Sequence, residues 1–155
     1  MSNEATAGEP ADRLLEACES AVRRLAGAES AGPDQDPFQT IGDALFWLYA
    51  LAEDRRQQHH PLILGLAWAR DRIGHGVLVA APVERSATGA YGTGSYGGTP
   101  YGGGSELTWL PRSRIQVSPR SWHQRDKENA YDERLAGRSV LTTIRTALHY
   151  LDSVN

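Results

Sequence analysis

Residues 41–57 read IGDALFWLYALAEDRRQ, and the fold turns on how that run is read. From Ala44 to Ala52 it is apolar around most of a helical circumference, and a helix of that kind belongs in the middle of a bundle rather than on its surface. Thr40 followed by Asp43 is the pattern of a capping box ahead of it. Upstream, ADRLLEACESAVRRLAGA places Leu14, Cys18, Ala21, Val22 and Leu25 on one stripe, which predicts an amphipathic first helix over about 12–27. Between the two, ESAGPDQDPF is acidic and broken by Pro33 and Pro37, as a linker is. Residues 1–11 are polar and acidic and are expected to form a disordered tail.

Downstream, HHP ends the second helix, because Pro61 cannot continue its hydrogen-bond ladder but suits the first turn of a new one. A third helix is predicted over 61–81, PLILGLAWARDRIGHGVLVAA, with a bend near the glycines at 74 and 76. Residues 90–104 are three five-residue units, AYGTG, SYGGT and PYGGG, within a low-complexity Gly/Tyr-rich insertion at about 86–105 that reads as a long loop of poor order. The literal string from Gly92 to Gly97 matches a dinucleotide fingerprint, but glycine and Pro100 follow it where that motif needs a helix, so no cofactor is expected. ELTWLPRSRIQV alternates enough for one or two short strands that pack Trp109 onto the bundle. The last segment gives a short helix, a break at Gly137 and a helix from about Ser139 to Leu151 buried through Val140, Ile144, Leu148 and Leu151. The expected fold is mainly α: a bundle of four or five helices, one domain over 12–155 with one long insertion.

The net charge of −3 conceals an asymmetry. Met1 to Asp43 carries nine acids and three arginines, hence −6; Arg55 to Arg125 carries nine arginines and three acids, hence +6. The basic part permits an anionic partner such as RNA. No apolar run approaches the length of a membrane span and the N-terminus lacks the regions of a secretory signal, so a soluble, cytoplasmic protein with no membrane partner is expected. Cys18 is the only cysteine. It can form no internal disulfide and suggests a buried, inert thiol rather than part of a metal site. No Gly-x-Ser-x-Gly elbow supports a serine hydrolase.

ARDRIGHG at 69–76 carries the sharpest chemistry. Fifteen arginines (16 Lys and Arg less Lys127, the only lysine) and five histidines generate about half an Arg-x4-His spacing by chance, and Arg55 with His60 also satisfies it. Context separates the two. Arg55 and His60 occupy a helix end, where cations complement the dipole, whereas Arg70, Asp71, Arg72 and His75 interrupt an apolar helix, where charge must be paired or must face a cavity or interface. On a straight helix Asp71 and His75 share a face while Arg70 and His75 point about 140° apart, so the pair needs a bend near Gly74 or a second copy of the chain. His59, His60, His123 and His149 are expected at the surface.

Arg70-Asp71-Arg72-Ile73-Gly74-His75 resembles the Arg-x4-6-His motif of the HEPN superfamily, including a polar residue directly after the arginine. The resemblance covers mainly residues 12–82. It implies a helical bundle, a homodimer whose two motifs meet in one composite site, and metal-independent endoribonuclease activity of a toxin or defence effector, with a cognate antitoxin as a further partner. In that chemistry the RNA 2′-hydroxyl attacks its own phosphate and leaves a 2′,3′-cyclic phosphate. An imidazole, which titrates near neutral pH, can move the proton, and a guanidinium can bind the charged non-bridging oxygens. His75 and Arg70 take those roles, Asp71 orients one of them, and Arg72, Arg55 and Arg56 bind flanking phosphates. The other reading of the same residues is a catalytically inactive HEPN-like binding or oligomerisation module whose interface uses this cluster as ion pairs.

Overall fold

Helix α1 spans Pro10–Ser30 and buries Cys18, Ala21, Val22 and Leu25, the stripe its periodicity predicts. The computed structural model describes residues 10–32, 36–84, 105–116 and 124–154. Residues 1–9 of the expected tail and nearly all of the Gly/Tyr-rich insertion lie outside these, whereas Pro10 and Ala11 already belong to α1 and Ser105 opens a strand. The elements that follow are α2 (Phe38–Asp54), α3 (Pro61–Gly74), β1 (Ala80–Glu84), β2 (Ser105–Trp109), a 3-10 turn at Arg112–Arg114, α4 (Arg125–Arg134) and α5 (Val140–Ser153). The fold is therefore mainly α with one small two-stranded sheet, and no described helix is long and apolar enough to cross a membrane.

As its composition predicts, α2 packs against three helices, α1, α3 and α5. It buries Ile41, Ala44, Leu45, Leu48, Leu51 and Ala52 but leaves Phe46 57% exposed, so one flank faces outward. The expected capping box is absent: α2 starts at Phe38, whose N–H donates to Asp36 Oδ1 at 3.0 Å, while the Thr40 hydroxyl donates to the Pro37 carbonyl. At its other end Arg56 takes the left-handed conformation, φ 56°, that lets the Gln57 N–H reach the Ala52 carbonyl at 2.8 Å; glycine usually fills that position.

The expected helix over 61–81 ends seven residues early. Gly74 is its last residue, and Gly76, at φ +74°, reverses the chain, so that the N–H of Val77 bonds to the Arg72 carbonyl and that of Gly76 to the Ile73 carbonyl. Val77 to Ala81 then run extended into β1 instead of continuing the helix. β1 pairs antiparallel with β2, Ala80 opposite Trp109 and Glu84 opposite Ser105. Leu107 and Trp109 turn inward while Thr108 is only half-buried, the period-two alternation of a strand with one wet face. The outer side of β2 is engaged too: Trp109 N–H donates to the Arg138 carbonyl and Gly137 N–H to the Trp109 carbonyl, each at 2.9 Å.

At the centre stand Trp68 from α3, Tyr131 from α4 and Trp109 from β2, with Tyr131 4.5 Å from the first ring and 6.4 Å from the second. Tyr131 donates its hydroxyl to the Leu110 carbonyl at 2.6 Å, and burial pushes its pKa up. α3 and α4 approach so closely at Gly65 that an added Cβ would stand 2.7 Å from Leu135 Cδ1 and 3.1 Å from the Ala130 carbonyl oxygen. α4, the short helix of the last segment, begins at Arg125. In α5 the core side is Val140, Thr143, Ile144, Ala147 and Leu151, with Leu148 only half-buried. Cys18 is 1% exposed, and burial, followed by the charge of Glu19, pushes its thiol up to about 12, as an inert core thiol requires.

Candidate functional site

The last two turns of α3 carry Arg70, Asp71 and Arg72, and the turn after the helix carries His75. Arg70 lies over the ring of Tyr49 on α2, 3.9 Å from its centroid, and its Nη2 meets Asp71 Oδ1 at 3.4 Å. The other carboxylate oxygen of Asp71 accepts from Lys127 Nζ at 3.2 Å, which ties α3 to α4. With side chains 35% and 30% exposed, Arg70 and Asp71 are neither sealed in the core nor free in water. Such pairs contribute little to stability at this exposure, so their value lies in fixing the direction of the guanidinium. Arg72 sits over the Trp68 ring at 5.4 Å with its Nε buried and without a partner among the described residues.

His75 is exposed and caps α3 through its backbone N–H, which donates to the Arg72 carbonyl; among the described residues no side-chain hydrogen bond or ion pair holds its ring. Thus Arg70 and Asp71 are brought into contact, and His75 stands at the same end of the helix but joined to neither. Asp71 holds Arg70 and Lys127 rather than the imidazole. Because the helix stops before His75, the separation of about 140° that a straight helix imposes does not apply to it. Gly42 of α2 crosses this end closely, with Ile73 Cγ2 3.2 Å from where its Cβ would be.

Arg55 and Arg56 lie at the far end of α2 from Tyr49's neighbours at the α3 tip. Arg55 is half-buried with Nε enclosed and unpartnered among the described residues, and Arg56 is exposed. Among the described residues no three His, Cys, Asp or Glu side chains gather as metal ligands would.

A second feature was not anticipated. A cleft of about 520 Å3 opens where the start of α3 and the end of α4 meet one face of α5, with Arg134, Arg138, Thr142, Thr146, His60 and Tyr150 among its walls. His60 is not the exposed helix-end residue its position suggests: it is half-buried and stacks on Tyr150 with ring centroids 4.0 Å apart, and its Nδ1 is enclosed without a partner among the described residues. Burial, then the charge of Arg134, lowers its pKa. The folded protein therefore disfavours protonated His60, and the unfolded chain takes up this proton first. Stability should fall as pH drops from about 6.5 toward the depressed folded value. Urea midpoints for wild type and His60→Gln between neutral and mildly acidic pH should give a shallower decline in the variant; parallel curves would refute the assignment.

Neither a family model, nor a curated protein sequence, nor a solved structure matches the chain.

Proposed function

We propose that the protein is an HEPN-like, metal-independent endoribonuclease in which two copies of the α3 tip meet, Arg70 from one and His75 from the other acting on one RNA phosphate. The observation that carries this reading is the end of α3 at Gly74: it leaves at the tip an exposed imidazole with no partner among the described residues, beside a half-exposed guanidinium fixed by Tyr49 and Asp71. In the reaction the 2′-oxygen loses its proton as it attacks phosphorus. The P–O5′ bond breaks, the departing 5′-oxygen gains a proton, and a 2′,3′-cyclic phosphate remains. His75 moves one of these protons, and Arg70 binds the non-bridging oxygens where charge accumulates. Arg72 and Lys127 add positive charge beside them for flanking phosphates of a single-stranded or looped RNA, with Arg55 and Arg56 farther along the strand. An enzyme of this type acting as a toxin requires a cognate antitoxin.

Incubating the protein with an RNA oligonucleotide in EDTA should yield cyclic-phosphate ends, and His75→Ala should lower the rate by about 100-fold or more. As the ring is exposed and unpartnered, that variant should keep the wild-type thermal midpoint. Equal cleavage by both proteins, or none by folded wild type, rejects the enzyme.

One observation favours a second reading, a catalytically silent binding or oligomerisation module: Asp71 bridges Arg70 and Lys127 and so uses the cluster to join two helices. On that reading Asp71→Asn weakens self-association or partner binding, and no variant alters RNA.

A further inference from the structure

Among the described residues, the cleft between α3, α4 and α5 is lined by two arginines and one histidine and by no carboxylate, in a chain whose net charge is −3. It lies at the N-terminal end of α3, and the rise of that helix sets it about 14 Å from Arg70 and about 20 Å from the Gly74 end that carries His75, so it is not part of the proposed RNase site. We propose that this cleft binds a small phosphomonoester, a sugar phosphate or nucleotide, as a separate ligand site.

Four features point to that chemistry. Arg134 has no side-chain hydrogen bond or ion pair among the described residues, and Arg138 gives only one of its five N–H groups to the protein, Nη2 to the Glu133 carbonyl at 3.1 Å. Two largely uncommitted guanidiniums match the charge and the several acceptor oxygens of a phosphate dianion. The hydroxyls along α5 differ in availability. Those of Thr143 and Thr146 donate to backbone carbonyls one turn back, while the Thr142 hydroxyl has no partner among the described residues. It can therefore serve a phosphate or sugar oxygen. The volume, about 520 Å3, far exceeds the roughly 30 Å3 share of one water and falls within the range of small-molecule sites. Finally, Leu62 and the stacked His60–Tyr150 pair give one wall an apolar surface, suited to an organic body rather than a bare ion.

The positions of these residues are well fixed. Tyr150 donates its hydroxyl to Gln57 Oε1, and the turn carrying Arg138 is held to β2 by the Trp109 and Gly137 bonds. A ligand there finds its arginines on anchored backbone, which lowers the cost of ordering them.

Calorimetric titration of the full chain at low ionic strength, with inorganic phosphate, ribose 5-phosphate and AMP in turn, tests the site. One of the two organic phosphates should bind at sub-millimolar concentration and more tightly than inorganic phosphate, and the stronger of them names the class. The double substitution Arg134→Gln, Arg138→Gln should weaken that binding at least about tenfold, Thr142→Val should weaken it severalfold, and His75→Ala should retain wild-type affinity. Because both arginine side chains are exposed, thermal midpoints without ligand should not change. Three results overturn the proposal: no binding of either organic phosphate at millimolar concentration, undiminished binding by the double variant together with Thr142→Val, or binding of an RNA oligonucleotide alone.

Discussion

Tyr131→Ala is expected to lower the unfolding free energy by about 3–5 kcal/mol. Tyr131 is fully buried, lies between Trp68 and Trp109, and spends its hydroxyl on the Leu110 carbonyl. The truncation removes the ring that links α3, α4 and β2 and leaves the part-buried Leu110 carbonyl without its donor. For a domain of this size the total is only about 5–15 kcal/mol, so the variant should be largely unfolded at modest urea concentrations. Tyr131→Phe separates the two contributions: it keeps the ring and should cost about 1–2 kcal/mol. Urea denaturation followed by tryptophan fluorescence reads both. An alanine variant within 1 kcal/mol of wild type would show that the aromatic cluster does not hold the fold together.

Gly65→Val should cost about 3 kcal/mol or more. Helix propensity alone favours replacing a mid-helix glycine, but the space does not exist. The methyl carbon nearest the new Cβ, Leu135 Cδ1, can rotate away from 2.7 Å; the Ala130 carbonyl at 3.1 Å belongs to the backbone of α4 and cannot. The two helices must separate, and Trp68 and Tyr131 lose contact with them. Gly27→Ala is the control. Nothing lies within 4 Å of its new Cβ and its φ is not left-handed, so the same kind of substitution there should raise the thermal midpoint slightly. Similar midpoints for the two variants would mean that α3 and α4 are not in close contact at Gly65.

These two sites show what the linear chain discloses. Helices α1 and α5 follow from period alone, because Leu14 through Leu25 and Val140 through Leu151 repeat on one face and nothing distant changes that, and α2 follows from its apolar circumference. The end of α3 does not follow. Val77 to Ala81 is an apolar run that a helix or a buried strand can use equally well, and β2, from a distant part of the chain, decides between them by pairing. Gly76 rather than Gly74 makes the reversal, a difference of φ that composition does not carry. At the α2 start Asp36 wins over Thr40 because it lies two residues before the first free N–H.

The candidate residues divide in the same way. Arg70 and Asp71 are neighbours in sequence and in space, so their contact was legible. Tyr49 and Lys127, which fix their orientation, come from α2 and α4, and only tertiary packing brings them there. The cleft was invisible because it is assembled from two helix ends and a face of α5, and its one local hint, the hydroxyl-rich RSVLTT at 138–143, also reads as an ordinary capped helix start, which in part it is.

The register of the hairpin has a consequence for how this chain can change. Glu84 and Ser105 face each other across the ladder, so the backbone leaves the body of the protein and re-enters it at points about 5 Å apart. A flexible insertion between two such points costs only about 0.6 kcal/mol more for each doubling of its length. A flexible module grafted between those two residues therefore meets ends that the ladder already holds together, which makes this corner the chain's natural port for new cargo.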